Sequence, residues 1–231
     1  MGLKRGFKIL LAVLSIVLLS YSAQAAPIEG NSTGIFTNPS GPGTMVTTGV
    51  GTDTFTWGTG AHGGPSSSLN FTGNTIATDF NTLFSFGTLN YFNGTIYSGT
   101  QADNVDLLIS LNLTSPTGLS ENFNYSLNLI NTLNVGVPAI DADYVVFPTV
   151  FPGTSFTLGD TEYTLAFSGF GSITSGGFAS MNEFHVYEGS TASAELIGTI
   201  TTRTAVPEPS TLLLFGSALV GLAFLRRKFS A

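Results

Sequence analysis

Asn104-Val105-Asp106-Leu107-Leu108-Ile109-Ser110-Leu111-Asn112-Leu113-Thr114 is the stretch that decides the fold. Val105, Leu107, Ile109, Leu111 and Leu113 occupy every second position, while Asp106, Ser110, Asn112 and Thr114 point the other way. Leu108 is the one apolar residue on the polar face. A period of two belongs to a β-strand with a single buried face. Downstream, Phe123, Tyr125, Leu127 and Leu129 alternate with Asn122, Asn124, Ser126 and Asn128 in the same way. Further strands are predicted at Thr54–Trp57, Leu69–Phe71, Leu83–Phe86, Thr95–Tyr97, Tyr144–Phe147, Ser155–Leu158, Tyr163–Phe167, Glu183–Tyr187 and Glu195–Thr201. Gly87, Gly94, Gly99, Gly118, Gly136, Gly153, Gly159 and Gly189 are read as punctuation between them. No window sustains a helical period. Many short strands, each with one apolar face, require two antiparallel sheets packed together. The predicted fold is an all-β antiparallel sandwich with jelly-roll or Greek-key connections.

Outward from this body, residues 26–204, lie two apolar ends of different character. Residues 1–25 read as a secretory signal peptide that directs Sec export. Lys4, Arg5 and Lys8 form its positive region, Ile9 to Leu19 its apolar core, and Ala23-Gln24-Ala25 a small-x-small site for signal peptidase. At the other end, Val206-Pro207-Glu208-Pro209 precedes an uncharged run from Thr211 to Leu225 and the basic cluster Arg226-Arg227-Lys228. Two prolines so close together exclude helix before residue 210. The run that follows is a predicted single transmembrane helix over about 211–225, and the basic cluster holds its end in the cytoplasm. Fifteen residues at about 1.5 Å each give roughly 22 Å, short of a hydrocarbon core of about 30 Å. Both ends place the body outside the inner membrane.

Charge narrows the function classes. The chain carries seven Lys and Arg, and six of them lie in the two ends, leaving Arg203 against thirteen acids in the body. Such a body repels nucleic acid and anionic lipid and lacks the cations that phosphate chemistry uses. With no cysteine there is no disulfide framework, thiolate nucleophile or cysteine metal site.

The ordered tail, Pro-Glu-Pro then apolar run then Arg-Arg-Lys, closely resembles the PEP-CTERM sorting signal of Gram-negative bacteria. That resemblance implies an exosortase-type membrane protease as partner, cleavage near Val206 to Pro209, and an inner-membrane intermediate before delivery to the cell surface or extracellular matrix. The body has its own resemblance. Gly34-Ile35-Phe36-Thr37-Asn38-Pro39, Gly51-Thr52-Asp53-Thr54-Phe55-Thr56-Trp57-Gly58, Ser68-Leu69-Asn70-Phe71 and Phe84 to Gly94 together resemble the choice-of-anchor K domain. It implies an exported module and supplies no catalytic residue.

Few residues are candidates for chemistry. Trp57, the only tryptophan, is a candidate for stacking on a glycan ring, with core packing beside Phe55 as the competing fate. His62 sits in Gly60-Ala61-His62-Gly63-Gly64, too glycine-rich to hold a catalytic base, and His185 shares a strand face with Glu183 and Tyr187. Asp141 and Asp143 share a face if extended and are the first candidates for a structural Ca²⁺ site, the only cofactor considered. No Gly-x-Ser-x-Gly elbow, His-x-x-x-His pair or phosphate loop occurs. The expectation is a non-catalytic surface or matrix protein among extracellular polysaccharide. The alternative is a carbohydrate-binding module, with or without calcium.

Overall fold

A computed structural model describes residues 27–115, 118–148, 154–158, 161–180 and 182–204. The predicted signal peptide with Ala23 and Ala25, the motif Val206 to Pro209, the predicted helix over 211–225 and the cluster Arg226 to Lys228 lie outside the described residues. Among the described residues no helix is long and apolar enough to cross a membrane.

Apart from one 3-10 turn, Ala61–Gly63, the regular structure described is strand. In chain order the strands are β1 Ile28–Ser40, β2 Thr47–Thr48, β3 Thr54–Trp57, β4 Ser67–Gly73, β5 Thr75–Thr78, β6 Leu83–Phe92 and β7 Asn104–Ser115. They continue with β8 Leu119–Ile130, β9 Asp143–Val146, β10 Thr154–Leu158, β11 Thr161–Gly171, β12 Gly177–Ser180, β13 Glu183–Val186 and β14 Thr191–Thr204. They form two seven-stranded sheets, ordered β12-β13-β9-β8-β7-β1-β5 and β10-β11-β14-β6-β4-β3-β2. The named strand pairs are antiparallel.

The deciding stretch behaves as read. Val105, Leu107, Ile109, Leu111 and Leu113 are buried, and β7 pairs with β8 so that Val105 faces Leu127 and Ile109 faces Phe123. The outward face is a polar lattice. Asp106 accepts hydrogen bonds from Ser126, Asn124 (3.2 Å) and Asn38 (3.1 Å), and Ser110 meets Asn122 at 2.6 Å. Burial works against the Asp106 charge, but the three donors together hold its carboxyl below the usual range. The outer face of the second sheet repeats the theme with Thr54, Asn70 and Asn90.

Between the sheets runs a chain of aromatic rings. Phe36 lies 6.0 Å from Phe55, Phe55 5.7 Å from Trp57, Trp57 5.6 Å from Tyr91, and Tyr91 6.4 Å from Phe184. Such contacts contribute about 0.5–1.5 kcal/mol each beyond area burial. The Phe71 ring reaches across to the backbone of the facing sheet. A Cβ added at Gly34 of β1 would lie 2.5 Å from it, and one at Gly87 of β6 would lie 2.3 Å from it.

Two sequence expectations are corrected. Gly87 does not end a strand: it lies inside β6, where the pairing with β14 shifts register so that Phe86 and Gly87 both face inward. Thr95–Tyr97 is no strand; only an isolated bridge joins Gly60 to Ile96.

The register also places the chain ends. Ile28 pairs with Thr78, and the Asn81 N–H donates to the Ile200 carbonyl at 2.9 Å, so β1 begins and β14 finishes at one end of the sandwich. At the other end Ser40 meets Asn104, Asn104 meets Asn128, and Thr191 meets Phe92.

Candidate functional site

The end remote from the chain termini is built from three connections: residues 93–103 after β6, residues 131–142 between β8 and β9, and residues 187–190 before β14. They are tied by backbone bonds. Asp103 N–H donates to Ser40 (2.8 Å), Leu129 N–H to Asp103 (2.8 Å), Asn93 N–H to Ser190 (3.0 Å) and Gly189 N–H to Asn93 (2.8 Å). Between the loops lies a cleft of about 280 Å³, with Gln101, Asn131, Asn134, Asp143 and Glu188 among its walls. A second, more open depression of about 390 Å³ shares Gln101 and Asn131 and adds Asp103, Asn104 and Asn128. Amide and carboxylate groups share the walls with Ile96, Leu129, Ile130 and Leu133, and none of the lining residues is Lys or Arg. The planar amide and carboxylate groups donate to and accept from hydroxyls in pairs.

Asp143 begins β9 and is 3% exposed. One of its oxygens accepts from Thr132 N–H (2.7 Å) and the Thr132 hydroxyl (3.0 Å). Burial pushes this carboxyl up to about 6, with the Thr132 bonds opposing and the nearby Glu188 charge adding. Glu188 in turn accepts from the Thr95 hydroxyl. Beneath them the Tyr91 phenol is held well above its ordinary range, first by burial and then by the Asp143 and Glu188 charges. Asn93 donates to the Val186 carbonyl at 3.0 Å, and its buried Oδ1 has no hydrogen-bond partner among the described residues.

The sequence candidates fall as follows. Asp141 is buried, and its two oxygens accept from Val135 N–H (2.8 Å) and Gly136 N–H (2.7 Å). It closes a loop rather than facing a ligand. Among the described residues no group of three or more His, Cys, Asp or Glu is placed to hold a metal ion. Both carboxylate oxygens of Asp141 and one of Asp143 are taken up by groups of their own loop. Trp57 is 2% exposed and packed between Phe55 and Tyr91, so it has no ring face to offer a sugar, and the glycan-binding expectation for it is corrected. His62 is exposed at positive φ in its turn, where its N–H donates to the Tyr97 hydroxyl at 3.2 Å.

His185 stands in an aromatic stack. Its ring lies 4.4 Å from Tyr144 and 4.5 Å from Phe178, and its Nε2 is 2.9 Å from Glu183. The stack was hidden from sequence because its rings come from three strands, β9, β13 and β12. The cleft was hidden for a similar reason, since Gln101, Asn131 and Glu188 lie in separate connections with no shared motif.

Residues 205–228 match the PEP-CTERM protein-sorting motif. The match begins directly after β14, which ends at Thr204. No curated protein matches the chain.

Proposed function

We propose that this chain is an exported, non-catalytic cell-surface or matrix protein whose tail is read and cut by an exosortase-type membrane protease. The observation that carries the reading is the sorting motif at residues 205–228 following without a gap on the last strand of an all-β body. Sec export and signal peptidase deliver the chain to the membrane. The apolar run 211–225 then holds it there as a helix until cleavage. Because β14 leaves from the end opposite the cleft, the body stands on its tail with the cleft facing outward. Fourteen residues at about 3.3 Å each put that face roughly 45 Å from the membrane. Outer faces made of Asn, Ser and Thr rather than charge suit a hydrated polysaccharide matrix. The body is read as a choice-of-anchor K-like module.

Mass spectrometry of the mature C-terminus tests the proposal. Cleavage between Thr204 and Thr211 is expected, and replacing Pro207, Glu208 and Pro209 with alanine is expected to leave uncut protein in the inner membrane. A mature protein still ending in Arg226-Arg227-Lys228 and its following residues overturns it.

A second reading is favoured by the amide- and carboxylate-lined cleft: binding of a neutral saccharide there. A glycan array with and without EDTA tests both the binding and a calcium requirement. Saturable binding abolished by Asn131→Ala with Gln101→Ala supports this reading; indifference to both changes removes it.

A further inference from the structure

The loop between β8 and β9 gathers apolar side chains in the open. Leu133 is 84% exposed, Val135 62%, Val137 45% and Ile140 60%. These are four of the nine strongly exposed large hydrophobic residues among the described residues, and they fall within eight positions. From Asn131 to Ile140 the loop carries no charge. The two carboxylates that follow are turned inward as clamps. Asp141 takes the N–H groups of Val135 and Gly136, and Asp143 takes that of Thr132. The N–H groups of Ile140 and Asp141 both donate to the Val137 carbonyl at 2.9 Å. The result is a loop with aliphatic chains exposed, Leu133 at the rim of the cleft, and much of its backbone hydrogen bonding satisfied within it, which lowers the cost of leaving water.

We propose that this loop contacts lipid and inserts Leu133, Val135, Val137 and Ile140 into the surface of a neutral, zwitterionic bilayer. Charge selects the surface. The cleft beside the loop bears Asp143 and Glu188, and the body's only basic residue is Arg203. Anionic headgroups are therefore repelled, and attraction comes from apolar contact alone. A second copy of the chain is the poorer fit, because stable protein interfaces bury about 800 Å² per partner and four side chains of one loop fall short of that. The chain's own tail is the poorer fit as well, since it departs from the far end of the sandwich. The proposal does not rest on how the tail is processed.

The test uses residues 27–204, within which the buried core of the described residues runs from Ile28 to Ile200, and a cooperative melt of this piece is confirmed first. Sedimentation with phosphatidylcholine vesicles is expected, insensitive to salt, and lowered about tenfold or more in L133D/I140D. Both positions are exposed, so the variant is expected to melt like the parent. Because the chain has no cysteine, Leu133→Cys and Leu83→Cys can each be labelled with an environment-sensitive dye. A blue shift on vesicles is expected at residue 133 and not at residue 83, which sits at the other end. Equal sedimentation of parent and variant overturns the proposal. So does binding that appears only with anionic lipid, or self-association abolished by L133D/I140D in a body that ignores vesicles.

Discussion

Asp143→Asn is expected to stabilise the body at neutral pH and to lose that advantage in acid. The folded carboxyl sits at about 6 against an ordinary 3.8, so the fold holds a proton that the unfolded chain has released across that window. Stability from this group is complete below about pH 4 and is lost as pH rises through 6. The shift of about two units, at about 1.36 kcal/mol each, puts the neutral-pH cost near 3 kcal/mol as an upper bound. Asparagine keeps the shape and an oxygen that accepts from Thr132, and it removes the charge that burial penalises. In a domain of this size about 1 kcal/mol moves Tm by roughly 2–4 °C, so a rise of about 6–12 °C at pH 7.5 is the ceiling. Thermal and urea melts followed by the fluorescence of Trp57, the sole tryptophan, check it between pH 4 and 7.5. The gap between variant and parent should close as pH falls from 6 to 4. A variant less stable at pH 7.5, or an equal gap at both ends of the range, refutes the reasoning and makes the carboxylate a net clamp on Thr132.

Other changes probe the packing and the loop. Trp57→Ala is expected to cost about 3–5 kcal/mol in urea unfolding, because it opens a void between Phe55 and Tyr91. Gly87→Ala drives a methyl into the Phe71 ring and should cost about 1–3 kcal/mol; Phe71→Leu in the same chain should recover part of it, a coupling that a double-mutant cycle reads directly. Asp141→Ala orphans the amides of Val135 and Gly136 at a cost of about 1–3 kcal/mol, and limited proteolysis should then cut first within residues 133–140.

The strands that could be read from sequence are those whose inward positions are all large and apolar, as in β7 and β8. β1 was invisible for a physical reason. Its inward positions include Gly34, where the Phe71 ring of the opposite sheet fills the space, and Ser32, whose hydroxyl donates to the Phe86 carbonyl. A strand whose core is supplied by a partner shows no alternation of its own. The bulge in β6 broke the period at Phe86 and Gly87, so only its first half was recognised. The edge strands β2, β5 and β12 are too short to establish a pattern. At the remote end of the sandwich, chemistry depends on which loops the register brings together, as with Asn131 and Glu188. That information lies in the pairing of strands far apart in the chain. Asp141 and Asp143 were singled out as calcium ligands because both are acids of one short stretch, whereas the partners the fold gives them, backbone amides and a threonine, depend on how the loop closes.

The position of β14 carries a consequence for the order of events during export. This strand lies in the middle of its sheet, between β11 and β6, and it is the last of the described strands in chain order, so it is the last made available to the fold. Until it arrives, β6 and β11 have no neighbour on the inner side, and the hydrophobic interior stays open to water. Only when residue 204 has crossed is the sheet complete, and the sorting motif follows at once. Closure of the body and arrival of its address at the membrane are therefore nearly simultaneous, so a chain truncated before the address would also be a chain that had barely finished folding.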